Sequence, residues 1–366
     1  MLRKFVVSIM ALMLLVIVIP GLALAEEGGK VVSTIVELQM TISQLSEKNH
    51  LPLEKVLTVL DNKTITPETT VMVAIEQKNM PLETLTQKIH DLQVETNLEG
   101  SKDWFKIKMK FLFWALFIIA GMVLLAKESK NIKVTPIRKF FLVAAVLVFG
   151  IWLGSDPNPV GTINDAIVLY GKEGVIFKPR LMALSVFLLT VVLGGRMLCG
   201  WGCQLGTLQE VIYQSPLPKY RIPFKISQSI RVIFFITMSI LALAWGFDLI
   251  GMADPFKIFA LKPLVFWGST IIISIILLLS LFIYRPWCQI LCPFGLVAFF
   301  TEKISWFRIL VNKDKCVDCG SCYRVCPTGA IEAKHSNQQK IDCYNCGECI
   351  DKCPVRAIVY DYTIRK

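Results

Sequence analysis

The chain has 366 residues, 54% of them hydrophobic and 18% charged, with a formal net charge of +11. So apolar a balance excludes an ordinary soluble domain and leaves room for a membrane region with one or two small domains. The basic residues sit beside apolar runs rather than in a stripe with interleaved aromatics, so lipid, not nucleic acid, is the expected partner.

The N-terminus reads Met1-Leu2-Arg3-Lys4, an apolar run to Ile19, then Ala23-Leu24-Ala25 before Glu26-Glu27. That order predicts a signal peptide or signal anchor over residues 1–25. An exported module over 26–104 follows from it. Ile35, Leu38, Ile42 and Leu45 recur at helical spacing. Pro52, Pro67 and Pro81 are each trailed by an acid (Glu54, Glu68, Glu83), which predicts three helix starts. Leu51-Pro52-Leu53-Glu54 is echoed by Met80-Pro81-Leu82-Glu83, a weak internal repeat. The module reads as small and all-helical.

Residues 105–310 read as a five-span membrane core, with apolar stretches near Phe111–Ala126, Phe140–Leu153, Phe177–Leu198, Val232–Ile250 and Leu264–Tyr284. Lys127, Lys130, Lys133, Arg138 and Lys139 crowd the first inter-span loop. Arg196, Lys219, Arg221, Lys225 and Arg231 crowd the third. The other two loops are nearly balanced in charge, so the first and third are expected in the cytoplasm. Lys102, Lys106, Lys108 and Lys110 at the outer end of span one oppose this orientation. Parity supports it, because an exported N-terminus followed by five spans leaves the C-terminus inside.

Two cysteine pairs close spans three and five: Cys199 and Cys203, and Cys288 and Cys292. Their surroundings align as R-x2-C-x3-C-x2-G, beginning at Arg196 and Arg285. Each lies downstream of an Asp-Pro (Asp156-Pro157 and Asp254-Pro255). The membrane core therefore reads as duplicated. On a helix each pair would share one face. Three readings stand: four thiolates at one metal site, redox-active dithiols, or free cysteines that merely pack.

The tail over 311–366 carries eight cysteines in two copies of C-x2-C-x2-C-x3-C-P, the bacterial ferredoxin signature for two [4Fe-4S] clusters. In that signature the fourth cysteine of each run serves the other cluster. The expected ligand sets are Cys316, Cys319, Cys322 and Cys353, and Cys343, Cys346, Cys349 and Cys326. Zinc sites favour paired C-x2-C, which these runs fit poorly. Cysteines absent from the first 198 residues and clustered afterwards suit a reducing compartment, so the tail is expected in the cytoplasm. Lys313, Lys315, Lys334 and Lys340 near the clusters read as a solvated basic face. The three histidines, His50, His90 and His335, lie outside every span, and no C-x-x-C-H occurs, so no haem is expected.

From Phe111 to the C-terminus, the two C-x3-C motifs with the double ferredoxin run resemble the membrane polyferredoxins of the NapH/NosR type. The resemblance implies electron transfer from the quinol pool towards a respiratory reductase system. Gln204 departs from the family, which has proline there. NosR-type chains carry an exported domain with a covalent FMN motif of the S-G-A-T kind, and none occurs here. Related accessory proteins of copper-oxidase assembly share the cysteine pairs and the ferredoxin run, so assembly or metallation of a respiratory metalloenzyme is the alternative function. The fold expected is mainly α: a polytopic helical membrane protein with an α+β two-cluster ferredoxin domain and a small exported helical module.

Overall fold

A computed structural model of the chain describes residues 34–60, 65–100, 103–128, 133–260, 267–331 and 342–362. The expected signal over 1–25, His335, Lys334 and Lys340 lie outside the described residues. Two compact units result, one from Leu24–Trp104 with Glu173–Phe177, the other from Phe105–Lys172 with Lys178–Lys366.

The smaller unit contains α1 (Ile42–Lys48), α2 (Leu53–Val59), α3 (Val71–Lys78) and α4 (Leu82–Gly100). Thr41 and Gln44 cap α1 reciprocally, side chain to backbone in both directions. Pro52 and Pro81 precede α2 and α4 as their positions predict, but α3 starts at Val71, later than Pro67 suggests. A local turn explains the delay: the Thr69 hydroxyl accepts from the Thr66 amide, and the Thr69 amide donates to the Thr66 carbonyl. The weak sequence repeat is a structural one. Thr41 and Thr70 pair across an antiparallel bridge, and His50 and Asn79 both take positive φ at the ends of α1 and α3. Ile42, Leu45, Val56, Val71, Ala74, Leu85 and Ile89 are fully buried in its core.

The larger unit begins with α5 (Trp104–Glu128) and α6 (Val134–Ala145, continued by a π-helical stretch over Val146–Trp152). Then come α7 (Pro159–Glu173), α8 (Lys178–Gly194), a π turn at Leu198–Gly202, α9 (Gln204–Tyr213), α10 (Phe224–Trp245) and α11 (Leu249–Ala253). After these come α12 (Trp267–Ser280), α13 (Pro286–Ile290) and α14 (Pro293–Thr301). Among the described residues, three helices are long and apolar enough to cross a membrane: Trp104–Lys127, Val134–Trp152 and Phe224–Trp245. Their outer faces are apolar at helical spacing, with Leu112, Leu116, Ile119 and Val123 exposed on α5 and Ile233, Ile236, Ile240 and Leu243 on α10. Exposed apolar stripes of this kind need lipid. The chain is a membrane protein.

α8 carries a similar stripe (Met182, Val186, Leu189, Leu193) but stops after 17 residues, short of the Leu198 expected from hydropathy. Gly195 takes φ +67 there and breaks the helix. Packing follows the duplication: α6 lies on α9 and α10 lies on α14. The copies also interlock, because α9 packs on α12 and α14 packs on α8.

The tail is built on β1 (Phe307–Val311) and β2 (Ile358–Tyr362), antiparallel with Ile309 opposite Tyr360 and Val311 opposite Ile358. Ile309, Ile358 and Tyr360 are buried. Two short helices, α15 (Ser321–Val325) and α16 (Glu348–Asp351), carry the cysteine runs. The tail docks firmly on the helices. Asp351 accepts from the backbone amides of Val134 (3.2 Å) and Thr135 (2.9 Å), capping α6. Tyr360 and Asn345 both donate to the Gly194 carbonyl at the end of α8 (3.1 and 2.8 Å).

Candidate metal centres

All twelve cysteines fall into three cavities, four to each. Cys316, Cys319, Cys322 and Cys353 line the first. Cys326, Cys343, Cys346 and Cys349 line the second, with Tyr284, Ile309 and Tyr344. In both, three cysteines of one run meet the fourth of the other. Matching backbone geometry brings this about. Asp318 and Asn345 occupy the same place in the two runs and share φ near +50. Gly320 (φ +67) and Gly347 (φ +79) then start α15 and α16. That left-handed step turns each loop around its own cavity. Residues Cys326 and Cys353, past the short helices, cross to the other.

The two tail cavities differ in exposure. In the first, Cys319 is exposed, Cys316 and Cys353 are half-buried and Cys322 is buried; in the second, Cys326 and Cys349 are buried and Cys343 and Cys346 half-buried. Hydrogen bonding with Ser321 holds the Cys319 thiol below its ordinary value. Burial pushes the Cys343 and Cys349 thiols well up and that of Cys346 to about 12. A metal cluster held there would displace those protons, and its binding would add to the folding free energy.

The third cavity holds Cys199, Cys203, Cys288 and Cys292. Neither pair lies along one helix, contrary to the shared helical face expected from C-x3-C. Cys199 sits in the π turn, and Cys203 is extended (φ −74, ψ 111) as the N-cap of α9. Cys288 sits in α13, and Cys292 (φ −66, ψ 114) caps α14 and accepts from the Gly295 amide at 3.2 Å. The cause is local: Pro293 at the first helical position sets a new start, and Gly200 and Gly202 loosen the first copy.

Nor do the pairs merely close the spans. Each hairpin dips into the helix bundle and returns. Gly202 accepts from the Trp114 indole (2.9 Å), near the middle of α5. Gln204 donates to Ser155, beyond the opposite end of α6 from the tail (3.3 Å). Pro159, Val160 and Phe256, which follow the two Asp-Pro turns, form the far wall of the cavity, and Tyr344 of the tail forms the near one. Irregular backbone at such depth is tolerated only where protein surrounds it. Cys203, Cys288 and Cys292 are each 8% exposed, so this condition is met.

Buried arginines clasp the hairpins reciprocally. Arg196, from the first motif, donates to Gly295 of the second (3.1 Å) and pairs with Glu302 (3.1 Å) and Asp342. Arg285, from the second, donates to Cys199 and Gly200 of the first (3.1 Å to Gly200) and pairs with Glu210. Arg138 joins Glu210 (2.8 Å) and Gly200 (3.0 Å). Arg231 joins Asp342 (3.3 Å) and Gly295 (3.2 Å). Arg138, Arg196 and Arg231, expected as loop charges, are all buried, as is Glu210. Lys110 is buried too, donating to Gly154 at 2.7 Å, so it no longer weighs as a loop charge against the expected orientation. Tyr344, Asp342 and Gly200 had no signal in the sequence.

Among the described residues, no three His, Cys, Asp or Glu side chains are placed to hold a single metal ion. A tetrahedral zinc would gather its sulfurs at about 2.3 Å from one point. Thiols ringing a cavity suit the larger body of a cluster, and soft thiolates suit iron–sulfur. The residues fit [4Fe-4S].

A model described as a 4Fe-4S binding domain matches residues 309–332, and a second of the same description matches twice, at 179–225 and 264–313. The Escherichia coli protein YccM is 30% identical over 173 residues, covering 43% of this chain and 48% of that one. The regulatory protein NosR of Stutzerimonas stutzeri is 27% identical, over 53% of this chain and 29% of its own. The ferredoxin-type protein NapH of Haemophilus influenzae is 27% identical, over 50% and 69%. The chain thus spans about half the length of YccM and under a third of NosR. No solved structure matches it. The twice-matched segments are the duplicated halves that carry Cys199 and Cys203, and Cys288 and Cys292, and with the ferredoxin tail they make the chain similar to membrane-type 4Fe-4S ferredoxins of the NapH/NosR type.

Proposed function

We propose that this protein passes electrons between the membrane quinone pool and a redox partner through its iron–sulfur tail. Cys316, Cys319, Cys322 and Cys353 hold one cluster, and Cys343, Cys346, Cys349 and Cys326 hold the other. The observation that carries this is the exchange of fourth cysteines between the runs, which gives each cavity a complete set of four thiols. A bound [4Fe-4S] cluster supplies reversible one-electron transfer. Cys319 and Val317 leave the first cavity open to solvent, which suits contact with a partner protein. Tyr284, Ile309 and Tyr344, all buried, wall the second.

We read five spans, α5, α6, α8, α10 and α12, with flanking residues completing the shorter two. The tail lies in the cytoplasm and the smaller unit outside. Lys127, Lys133, Lys139, Lys219 and Lys225 support this, being exposed around the helix ends that meet the tail.

Proteoliposomes containing the protein, titrated anaerobically with a quinol analogue, test the reading. Cluster EPR signals should respond to the quinol, and Cys349→Ser should abolish one of them. Signals indifferent to every quinone and quinol would refute the quinone link.

A further inference from the structure

We propose that the open side of the first tail cavity is the docking surface for an acidic, soluble one-electron carrier protein, which approaches at Cys319. The proposal rests on the reading of the tail as a two-cluster ferredoxin and adds to it the chemistry of the partner.

Three observations coincide there. The first is apolar surface around an exposed ligand. Cys319 is exposed, and beside it two apolar residues that line the cavity face water, Val317 at 61% and Val355 at 38%. Tyr323 of α15 adds a ring that is 39% exposed. By contrast, Ile309, Ile331, Ile350 and Ile358 of the tail are buried. Protein contacts are built this way, with apolar and aromatic groups at the centre and charge at the rim.

The second is the rim itself. Lys313, Lys315, Arg324, Lys352 and Arg356 are all exposed, each within three residues of a cysteine of this cavity. The Arg324 guanidinium donates to the Ser321 hydroxyl at 3.0 Å and lies against Gly320, and both of those residues line the cavity. Arg221 reaches the same rim from the membrane helices. It stacks over the Tyr323 ring at 5.4 Å, as well as donating to that residue's carbonyl.

The third is where the tail's acids go. Asp342 pairs with Arg196 and Arg231, Asp351 caps α6, and Glu348 lines the second cavity. Asp361 lies opposite Arg308 in the sheet. Among the described residues of the tail, Asp314 and Asp318 alone are acids beside the first cavity, and Asp318 is 3.7 Å from the Cys316 sulfur. An evenly solvated basic face would mix acids among the bases. Here the acids turn towards the bundle and the bases ring the open cavity, a field that steers an anionic protein and repels a cationic one. In the complex one electron passes between the cluster and the carrier's own cofactor, one gaining what the other loses. No bond forms or breaks.

Stopped-flow mixing tests this with the full-length protein, its clusters oxidised, and an acidic flavodoxin in its hydroquinone form. Flavin semiquinone absorbance reports each electron given up. The second-order rate should fall about tenfold or more between roughly 50 and 500 mM salt. Lys315→Glu with Arg324→Glu should slow it about tenfold or more at low salt. The same variant should keep both tail EPR signals, which shows that it has folded, and should still be reduced at the wild-type rate by a small neutral donor such as a photoreduced deazaflavin. A rate indifferent to salt and to the charge reversal overturns the proposal. So does a variant that keeps its flavodoxin rate but loses bound phosphatidylglycerol in native mass spectrometry, because the rim would then serve lipid headgroups. Wild type without tail EPR signals before mixing refutes the tail reading, and the proposal with it.

Discussion

Single residues carry the junction between the tail and the membrane hairpins. A Cβ built on Gly200 would lie 2.0 Å from the Tyr344 carbonyl oxygen, which is backbone and cannot yield cheaply. Gly200→Ala should therefore destabilise the protein by about 1–3 kcal/mol, read as a lower unfolding midpoint in detergent. Glu210 presents a harsher case. Its carboxylate serves Arg138, Arg285 and the Tyr284 hydroxyl (2.7 Å), all buried. Removing it in Glu210→Ala strands two cations and should cost about 3–5 kcal/mol. By contrast, Glu37→Gln breaks only the exposed Lys48 pair (3.2 Å) and should change stability by less than about 1 kcal/mol. Equal effects in the two variants would contradict the assignment of the buried clasp. The arginines attached to each C-x3-C were legible in the sequence, but their purpose was not. Their partners sit in the tail (Asp342) or in the other copy (Glu210), where no local pattern reaches.

At the scale of elements, the duplication and three of the five expected spans were readable because hydropathy and motif spacing are local properties. The hairpins were not. C-x3-C fits one helical face as well as it fits a break, and only the bundle around Trp114 and Ser155 decides between them. Pro293 was the available signal, since proline at a first helical position marks a start immediately after Cys292. Gln204 takes that position in the first copy and, lacking proline's fixed φ, bonds instead to Ser155. Asp351 ties tail to membrane helix by capping α6, so Asp351→Ala should cost about 1 kcal/mol. Hydrogen exchange should then accelerate at Val134 and Thr135 while the α10 amides stay protected. Unchanged exchange at those two amides would show that the cap does not hold the tail.

Across the whole molecule, the tail is no appendage on a flexible tether. β1 follows α14 directly, Trp306 donates to Val192 of α8 (2.7 Å), and Arg221 donates to Tyr323 beside the first cavity (2.9 Å). A tail fixed in this way presents one exposed cavity outward and one buried cavity to the bundle, an arrangement in keeping with the proposed electron transfer. The interleaving of the two cysteine runs underlies all of this, and EPR of the reduced protein with Cys353→Ser and Cys326→Ser tests it most directly. Cys353→Ser should abolish or convert the signal of the solvent-exposed cluster, the one that Cys316→Ser also removes. Cys326→Ser should act on the signal that Cys349→Ser removes. The opposite pairing, with Cys326→Ser matching Cys316→Ser, would contradict the account.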